Sequence, residues 1–359
     1  MKDILQGGKT RELLIKQSQM YPDLQIRDVF KFLYQSSFGC EHMVDSCEKV
    51  TDYIRAEFNS GVADTNPYVE ALDGGYSRVS LSYLKLGLSA ETLGRLFFLS
   101  AEKEADGEKL LKEKLAVVKN MAEENIFSFS AEEFEKECTV WQEEGCPAVH
   151  HSQLFRENHS PSYRVIANRY IPFLPLLAEI DKLLEKGRVR LAVEGSSASG
   201  KTTLGEMLRE IYGCTILHTD DFFLQSEQRT PERYKEIGGN IDRERFLAEV
   251  LIPLNNDEII SYRRFDCSEM KLQSPTKIIP EKLTVIEGAY SMHPDFEGFY
   301  DFSVFLDISE DLQKVRILKR NSPGLAERFF NEWIPLEKTY FNATDAKKRC
   351  TMCIAIDCI

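Results

Sequence analysis

Short apolar runs alternate with helical periodicity in the second half of the chain. Four runs rich in β-branched residues occupy positions 189–194, 214–218, 283–287 and 302–306, and a fifth, 351–356, alternates apolar and polar residues. Runs of this length predict buried strands, and such strands separated by helices form a parallel sheet covered by helices on both faces. The pattern predicts an α/β domain with a doubly wound parallel sheet.

The first half of the chain has mainly helical periodicity. Residues 27–36 space their apolar side chains at helical intervals, and Ser89 stands where an N-cap would begin another helix. A helix ending near residue 186 would be closed by Gly187 as a C′ glycine. We therefore predict a mainly helical domain, 1–187, followed by the α/β domain, 188–359.

A glycine-rich motif follows the first predicted strand. It reads Gly-Ser-Ser-Ala-Ser-Gly-Lys-Thr-Thr and satisfies the P-loop pattern G-x-x-x-x-G-K-[ST], with a strand before it and a helix-prone run after it. Glycines allow the tight turn that points successive N–H groups at one phosphate. We assign nucleotide binding to Gly195, Ser196, Ser197, Ala198, Ser199, Gly200, Lys201, Thr202 and Thr203.

The end of this motif carries the groups expected to act on the phosphates. The N-terminus of the following helix adds partial positive charge. Lys201 is expected to reach the β- and γ-phosphates, and the hydroxyl of Thr202 is expected to bind Mg²⁺. The motif therefore predicts ATP and Mg²⁺ as cofactors.

Acidic residues follow two further predicted strands. Asp220 and Asp221 come after the run 214–218, and Glu287 ends the run 283–287. The carboxyl ends of strands line the ligand crevice of a doubly wound sheet, so these acids should lie near the phosphates. Asp220 could accept the proton of an attacking hydroxyl and hold metal-bound water, and Glu287 occupies the place of a Walker-B acid. The alternatives are an N-cap for either aspartate and a solvated strand end for Glu287.

Two arginines occupy one face of a predicted helix. Arg316 and Arg320 stand at i and i+4. Above the γ-phosphate they would neutralise charge in the transition state, whereas a solvated basic face is the alternative.

Together, these segments resemble the uridine kinase and phosphoribulokinase family of P-loop kinases, which includes nicotinamide riboside kinase. The resemblance rests on the P-loop, on His-Thr-Asp-Asp-Phe-Phe at 218–223, on Val-Ile-Glu-Gly at 285–288 and on the helix with Arg316 and Arg320. It implies that Asp220 is the catalytic base and that Glu287 contributes to the Mg²⁺ site. It also nominates Asp242 to contact ribose hydroxyls, with a helix N-cap as an equal alternative.

The chain departs from the family pattern where nucleoside-specific members read the base. Those members carry Tyr-Asp followed by a histidine, whereas this chain has Phe265-Asp266 and no histidine after it. Arg263 and Arg264 precede that pair and suggest an anionic or strongly polar substrate, unless they are simply solvated. We add Tyr290, shortly after Glu287, to the predicted substrate residues together with Asp221, Asp242 and Arg263.

Composition and charge narrow the classes of partner. The net charge of −13 and the pI of about 5.2 disfavour a broad surface for nucleic acid or anionic lipid. No run of 18 apolar residues predicts a membrane span. Nine scattered cysteines and a polar N-terminus suggest a reduced, cytoplasmic protein.

The histidines and cysteines of the first half form no motif with tight paired spacing. His42 stands near Cys40, and His150 and His151 stand near Cys146. A metal site, a place in a substrate cleft and a structural or surface role all remain open for them.

The sequence thus predicts transfer of the γ-phosphoryl group of ATP to a hydroxyl of a small metabolite, as in a uridine or nucleoside kinase. The helical domain would shape the acceptor site, mediate homodimerisation or regulate. The alternative function is a regulatory nucleotide-binding ATPase module that acts through a protein partner. No Asn-Lys-x-Asp motif for reading guanine is present.

Overall fold

The chain divides into two compact units, Met1–Asp181 and Lys182–Ile359. A computed structural model describes residues 2–40, 46–61, 68–101 and 106–356, so His42 lies outside the described residues. The division between the units falls inside helix α8 (Leu174–Lys186), and the domain boundary near residue 188 stays a prediction. Across the described ranges, no helix has the length and apolarity needed to cross a membrane.

The N-terminal unit is built mainly of helices, as predicted. In addition to α8 they are α1 (Lys2–Met20), α2 (Ile26–Phe38), α3 (Cys47–Asn59), α4 (Ala90–Leu99), α5 (Gly107–Glu123), α6 (Ala131–Glu143) and α7 (Gln153–His159). Helix α4 begins where its sequence indicates, because the Ser89 hydroxyl accepts a hydrogen bond of 3.0 Å from the Thr92 N–H. This cap satisfies one of the otherwise unpaired first-turn donors.

A three-stranded antiparallel sheet in this unit was not predicted. It consists of β1 (Val69–Ala71), β2 (Tyr76–Ser80) and β3 (Tyr163–Ala167), with β2 in the centre. Every residue of β2 is buried, including Arg78, whose Nε donates to Gln35 and whose guanidinium pairs with Glu70 at 2.9 Å. Polar side chains with buried partners hide the apolar alternation by which a strand is normally recognised.

The C-terminal unit contains the predicted parallel sheet. Its strands are β4 (Val189–Gly195), β5 (Thr215–His218), β10 (Leu283–Glu287), β11 (Phe302–Asp307) and β12 (Met352–Ala355), in the order β12-β11-β4-β10-β5. Two short antiparallel pairs lie between β5 and β10 in the sequence: β6 (Ile260–Tyr262) with β9 (Thr276–Ile278), and β7 (Phe265–Asp266) with β8 (Lys271–Leu272). The parallel order, which requires crossover connections, confirms the α/β fold class.

Helices connect the strands of this unit. They are α9 (Lys201–Tyr212), α10 (Pro231–Lys235), α11 (Arg243–Phe246), α12 (Ile252–Asn255), α13 (Glu310–Arg320), α14 (Pro323–Arg328), α15 (Ile334–Thr344) and α16 (Ala346–Arg349). π-Helical turns at Leu247–Leu251 and Phe329–Trp333 precede α12 and α15. Both of those helices carry proline in their first turn, where the missing N–H donor costs little.

An aromatic core fixes the turn after β5. Phe222 is fully buried and packs edge-on against Phe246, with ring centroids 4.9 Å apart, and it also stacks against Tyr262. Burying an aromatic ring of this size contributes about 2–3 kcal/mol. The turn that carries Asp220 and Asp221 is therefore held rigidly at the edge of the sheet.

Candidate active site

The glycine-rich loop adopts a conformation that only its small residues permit. A Cβ atom on Gly195, at φ +151°, would lie 2.7 Å from the carbonyl oxygen of Leu306. Gly200 at the loop end has φ +103° and leads directly into α9. Because Gly200 is the N-cap residue of α9, the N-cap position offers no side chain to the first turn. These first-turn N–H groups form the kind of anion cradle that phosphates bind.

Lys201 folds back over the loop. Its ammonium group donates to the carbonyl oxygens of Gly195 at 2.8 Å and Ser196 at 3.0 Å. The loop therefore positions a positive charge directly beside its own N–H groups, where a phosphate anion would be attracted.

A buried carboxylate joins the loop helix to the neighbouring strand. The Thr202 hydroxyl donates to Oε1 of Glu287 at 2.9 Å, and Nδ1 of His218 lies 2.6 Å from the same oxygen. His218 and Glu287 pair directly across the parallel strands β5 and β10. Hydroxyl and carboxylate oxygens are hard donors that suit Mg²⁺, so these residues fit the predicted metal.

A hydrogen bond and neighbouring charges favour the ionised forms of this cluster. Burial alone would raise the pKa of Glu287, but the hydrogen bond from His218 and the charge of Lys201 outweigh it and lower that pKa. The hydrogen bond to Glu287 in turn raises the pKa of His218, against a smaller effect of burial. The pair favours a carboxylate beside a protonated imidazole.

Asp220 and Asp221 are adjacent in sequence but have different surroundings. Asp220 remains accessible to solvent, yet the protein around it raises its pKa by desolvation. Lys201 opposes that rise, and the charges of Glu287 and Glu337 add to it. Asp220 thus lies within electrostatic range of the loop lysine and the Glu287 cluster.

Asp221 is buried and held by internal partners. Its carboxylate accepts a hydrogen bond of 3.0 Å from the Tyr262 hydroxyl and pairs with Nε of Arg264 at 2.8 Å. It therefore ties the turn after β5 to strand β6 and the residues that follow it.

The remaining predicted substrate residues have internal contacts. Asp242 is buried and caps α11, where it accepts from the Arg245 backbone N–H at 3.2 Å and pairs with the Arg245 side chain. Arg263 pairs with Glu249 at 3.1 Å. Tyr290 is buried against the ring of Tyr340, with centroids 4.7 Å apart. Two interpretations of Asp242 were a contact to ribose hydroxyls and a helix N-cap, and the structure shows the N-cap.

Helix α13 places its two arginines differently. The guanidinium of Arg316 donates to the carbonyl oxygens of Ala198 at 3.2 Å and Ser199 at 3.4 Å. Arg320 instead lies over the ring of Phe329, 5.8 Å from its centroid. The structure therefore brings only Arg316 of this pair to the loop.

Three residues at the site were not among the predicted site residues. Two of them, Glu194 and Glu337, are buried. The third, His218, is partly exposed and bonds to Glu287. Glu194 accepts hydrogen bonds from the N–H groups of Gly195 and Met292 and from the Tyr340 hydroxyl, and burial raises its pKa to about 7. Strand ends could have suggested His218 and Glu194, whereas the contact of Glu337 with Ser197 joins residues far apart in the chain.

The C-terminal unit matches known kinases over part of its length. Residues 191–324 match the model of the phosphoribulokinase / uridine kinase family. A uridine kinase of Chlamydia pneumoniae is 26% identical over 140 residues, which cover 36% of this chain and 61% of that protein. The chain thus spans less than two thirds of the curated relative it matches.

Solved structures give a weaker likeness. A possible uridine kinase from Bacillus stearothermophilus is 20% identical, covers 50% of this chain and 98% of its own, and superposes with a TM-score of 0.38. The family match is the stronger finding, because it covers the P-loop, Asp220, Glu287 and Arg316 together. Residues 191–324 of this chain are therefore similar to the phosphoribulokinase and uridine kinase family, as the resemblance of the C-terminal half predicted.

Proposed function

We propose that the C-terminal unit is a kinase that transfers the γ-phosphoryl group of ATP to a hydroxyl group of a small metabolite. The observation that carries this proposal is the meeting of three elements at one edge of the sheet. They are the P-loop after β4, the Thr202–Glu287 contact at the end of β10, and Asp220 after β5. Phosphoryl transfer needs a phosphate cradle, a metal site and a base in this proximity.

The loop and the first turn of α9 would bind the triphosphate. The loop N–H groups and Lys201 neutralise phosphate oxygens, and Arg316 adds a second positive charge through its contact with the loop carbonyls. Arg320 would have to leave Phe329 to join it, and we retain its catalytic role as a proposal.

Thr202 and Glu287 are the residues we propose to hold Mg²⁺. When bound, the ion would neutralise charge on the β- and γ-phosphates. His218 orients Glu287 through the 2.6 Å hydrogen bond and so fixes which carboxylate oxygen faces Thr202.

Asp220 is the proposed general base. Its raised pKa makes it a stronger proton acceptor than an ordinary aspartate, and its accessibility leaves room for an acceptor hydroxyl. Asp220 would take the hydroxyl proton as the oxygen attacks the γ-phosphorus and the bond from that phosphorus to the β–γ bridging oxygen breaks, which releases ADP. The loop would hold the phosphoryl group in line.

The acceptor is proposed to be a nucleoside or a similarly polar alcohol. The similarity to a uridine kinase supports that class. Asp221, Asp242, Arg263 and Tyr290 remain candidate acceptor residues, although the first three are engaged by internal partners. Cytoplasmic location and homodimerisation remain predictions.

The test is ADP release from Mg²⁺–ATP in the presence of nucleosides, sugars and vitamin-like alcohols. We expect one acceptor class to stimulate release and Asp220→Asn to reduce that stimulated rate by roughly 10²–10⁴-fold, since that is the usual contribution of a general base. Asp311→Asn, an exposed acid on α13, is the matched control and should behave as wild type.

The contrary result is ATP binding without stimulation by any acceptor. Small-molecule transfer would then be abandoned. Nucleotide-dependent capture of a protein partner would favour the regulatory ATPase module instead.

A further inference from the structure

The carboxylate of Glu337, on helix α15, is hydrogen-bonded to the P-loop. Glu337 on α15 is 4% exposed, and both of its oxygens bond to one residue. Oε2 accepts from the Ser197 N–H at 2.9 Å, and Oε1 accepts from the Ser197 hydroxyl at 2.5 Å. Two hydrogen bonds to an ionised acceptor make this contact a strong one.

The contact uses a donor that serves anions in such loops. Backbone N–H groups of a P-loop are arranged to bind phosphate oxygens, and a carboxylate is a smaller anion of the same kind. The neighbouring loop carbonyls are also held from outside, because Gln313 donates to the carbonyl of Ser197 at 2.9 Å and Arg316 to that of Ala198. Glu337 is therefore part of a set of side chains that fixes the loop in this conformation.

The position of Ser197 indicates which phosphate would meet Glu337. Ser197 precedes the first residue of α9, Lys201, and so lies on the strand side of the cradle, away from the helix N-terminus. The charge of Glu337 also contributes to the raised pKa values of Asp220 and Tyr290. Glu337 thus lies within electrostatic range of the proposed base.

We propose that Glu337 discriminates between nucleotide triphosphate and diphosphate, because its carboxylate occupies the place at Ser197 that the terminal phosphate requires. A triphosphate must displace the carboxylate to be seated, whereas a diphosphate binds at the helix end of the cradle and leaves the Glu337–Ser197 contact in place. After transfer the carboxylate returns to Ser197. This inference rests on the proposed function and adds to it a residue that sets nucleotide specificity.

The test compares the dissociation constants of Mg²⁺–ADP and of a non-hydrolysable Mg²⁺–ATP analogue, measured by calorimetry on the full chain. Glu337→Gln keeps an acceptor oxygen for the Ser197 N–H but removes the negative charge. We expect the affinity for the triphosphate analogue to rise roughly 10-fold relative to ADP, as for loss of one charge-assisted hydrogen bond. Glu337→Ala should shift the ratio in the same direction.

Two further variants check this interpretation, one by weakening the same contact and one as a control. Ser197→Ala keeps the backbone donor but removes the hydroxyl, so it weakens the Glu337 anchor without altering α15 and should shift the ratio the same way by a smaller factor. Glu327→Gln, an exposed acid on α14, is the control and should leave both constants unchanged. Thermal melting verifies that each variant is folded, and Ser197→Ala carries the test if neither Glu337 variant folds.

An unchanged ratio of the two dissociation constants in folded Glu337 variants would overturn the inference. Equal weakening of both nucleotides would also overturn it, because it would make Glu337 only an anchor for α15. In either case acceptor-stimulated ADP release would still support the kinase proposal. Failure of the wild-type chain to bind either nucleotide would overturn both.

Discussion

Each unit of the chain contains a histidine paired with a buried carboxylate, and the two pairs have opposite electrostatics. In the N-terminal unit Nδ1 of His151 lies 2.8 Å from Asp28, and in the C-terminal unit Nδ1 of His218 lies 2.6 Å from Glu287. Burial lowers the pKa of His151 to about 4, whereas the hydrogen bond to Glu287 raises the pKa of His218. The same two functional groups thus give a neutral imidazole in one place and favour a charged one in the other.

The difference comes from solvent access and from the other neighbours. The side chain of His151 is 5% exposed, and the charges of Arg78 and Lys31 oppose its protonation. The side chain of His218 is 34% exposed and is surrounded by the acids Glu287, Asp220 and Asp221. A carboxylate partner therefore does not by itself make a histidine a functional group, and the environment decides.

The pair in the N-terminal unit acts as a structural crosslink. Besides His151, the carboxylate of Asp28 accepts from the backbone N–H and the hydroxyl of Ser152, and Nε2 of His151 lies 2.8 Å from the Tyr163 hydroxyl. These hydrogen bonds join α2 to the residues before α7 and to β3. Both ring nitrogens of His151 have partners within the unit, so a structural role fits His151 best.

The largest expected effect is the loss of this crosslink. Asp28→Asn removes the charge of a buried acceptor and leaves donors without a partner, so it should lower the free energy of unfolding of the N-terminal unit by about 3 kcal/mol. Denaturant unfolding followed by Trp141 fluorescence measures it, in a Trp333→Phe background that leaves Trp141 as the single tryptophan. Trp141 is buried and stacks on Phe30 of α2.

The control for this measurement is Asp52→Asn. Asp52 is exposed and pairs with Arg55 at 3.0 Å, so its loss should cost under about 1 kcal/mol. Equal effects of the two substitutions would contradict the distinction between buried and exposed pairs.

The second effect is a dependence of the stability of the N-terminal unit on pH, which we expect from the His151–Asp28 pair. Because the pKa of His151 is lowered in the folded state, the unfolded chain alone binds this proton between about pH 6.5 and pH 4. The stability of the N-terminal unit should therefore fall as the pH drops through that window, by at most about 3 kcal/mol from this residue. His151→Gln should flatten that part of the stability profile, and His218→Gln should leave it in place. A profile that His151→Gln does not alter would show that other groups control the acid response.

The smallest effect is expected at the pair in the C-terminal unit and concerns binding. Glu287→Gln should weaken Mg²⁺-dependent nucleotide affinity by roughly 10–100-fold, as for loss of a group that holds or orients a metal ligand. Titration calorimetry with and without Mg²⁺ measures it, with the exposed Glu281→Gln as the control. An equal loss of affinity without Mg²⁺ would mean that Glu287 only supports the loop.

The sequence allowed prediction of the sheet and of the residues attached to its strand ends. Apolar runs placed all five parallel strands, and a P-loop between a strand and a helix admits few other conformations. Asp220 and Glu287 could be placed near one another because parallel strands share an edge. His218 could have been added by the same reasoning, since β5 and β10 pair it with Glu287.

Contacts between distant segments could not be predicted in this way. The helical spacing of Arg316 and Arg320 gave no sign that the second arginine would pack on Phe329. The contact of Glu337 with Ser197 depends on how α15 packs against the loop, which no local pattern encodes. The sheet of the N-terminal unit was missed because β2 buries Ser77, Arg78 and Ser80 with polar partners in place of an apolar alternation.

The strand order has a consequence for how the chain assembles during synthesis. β4, which leads into the P-loop, lies between β10 and β11. Within the described part of the chain, β5 pairs only with β10. Residues 283–287 and 302–307 therefore leave the ribosome well after the loop, which has no sheet to attach to until they arrive. Pairing across such a separation in sequence is slow to form. The P-loop is thus translated early in its unit but acquires its shape near the end.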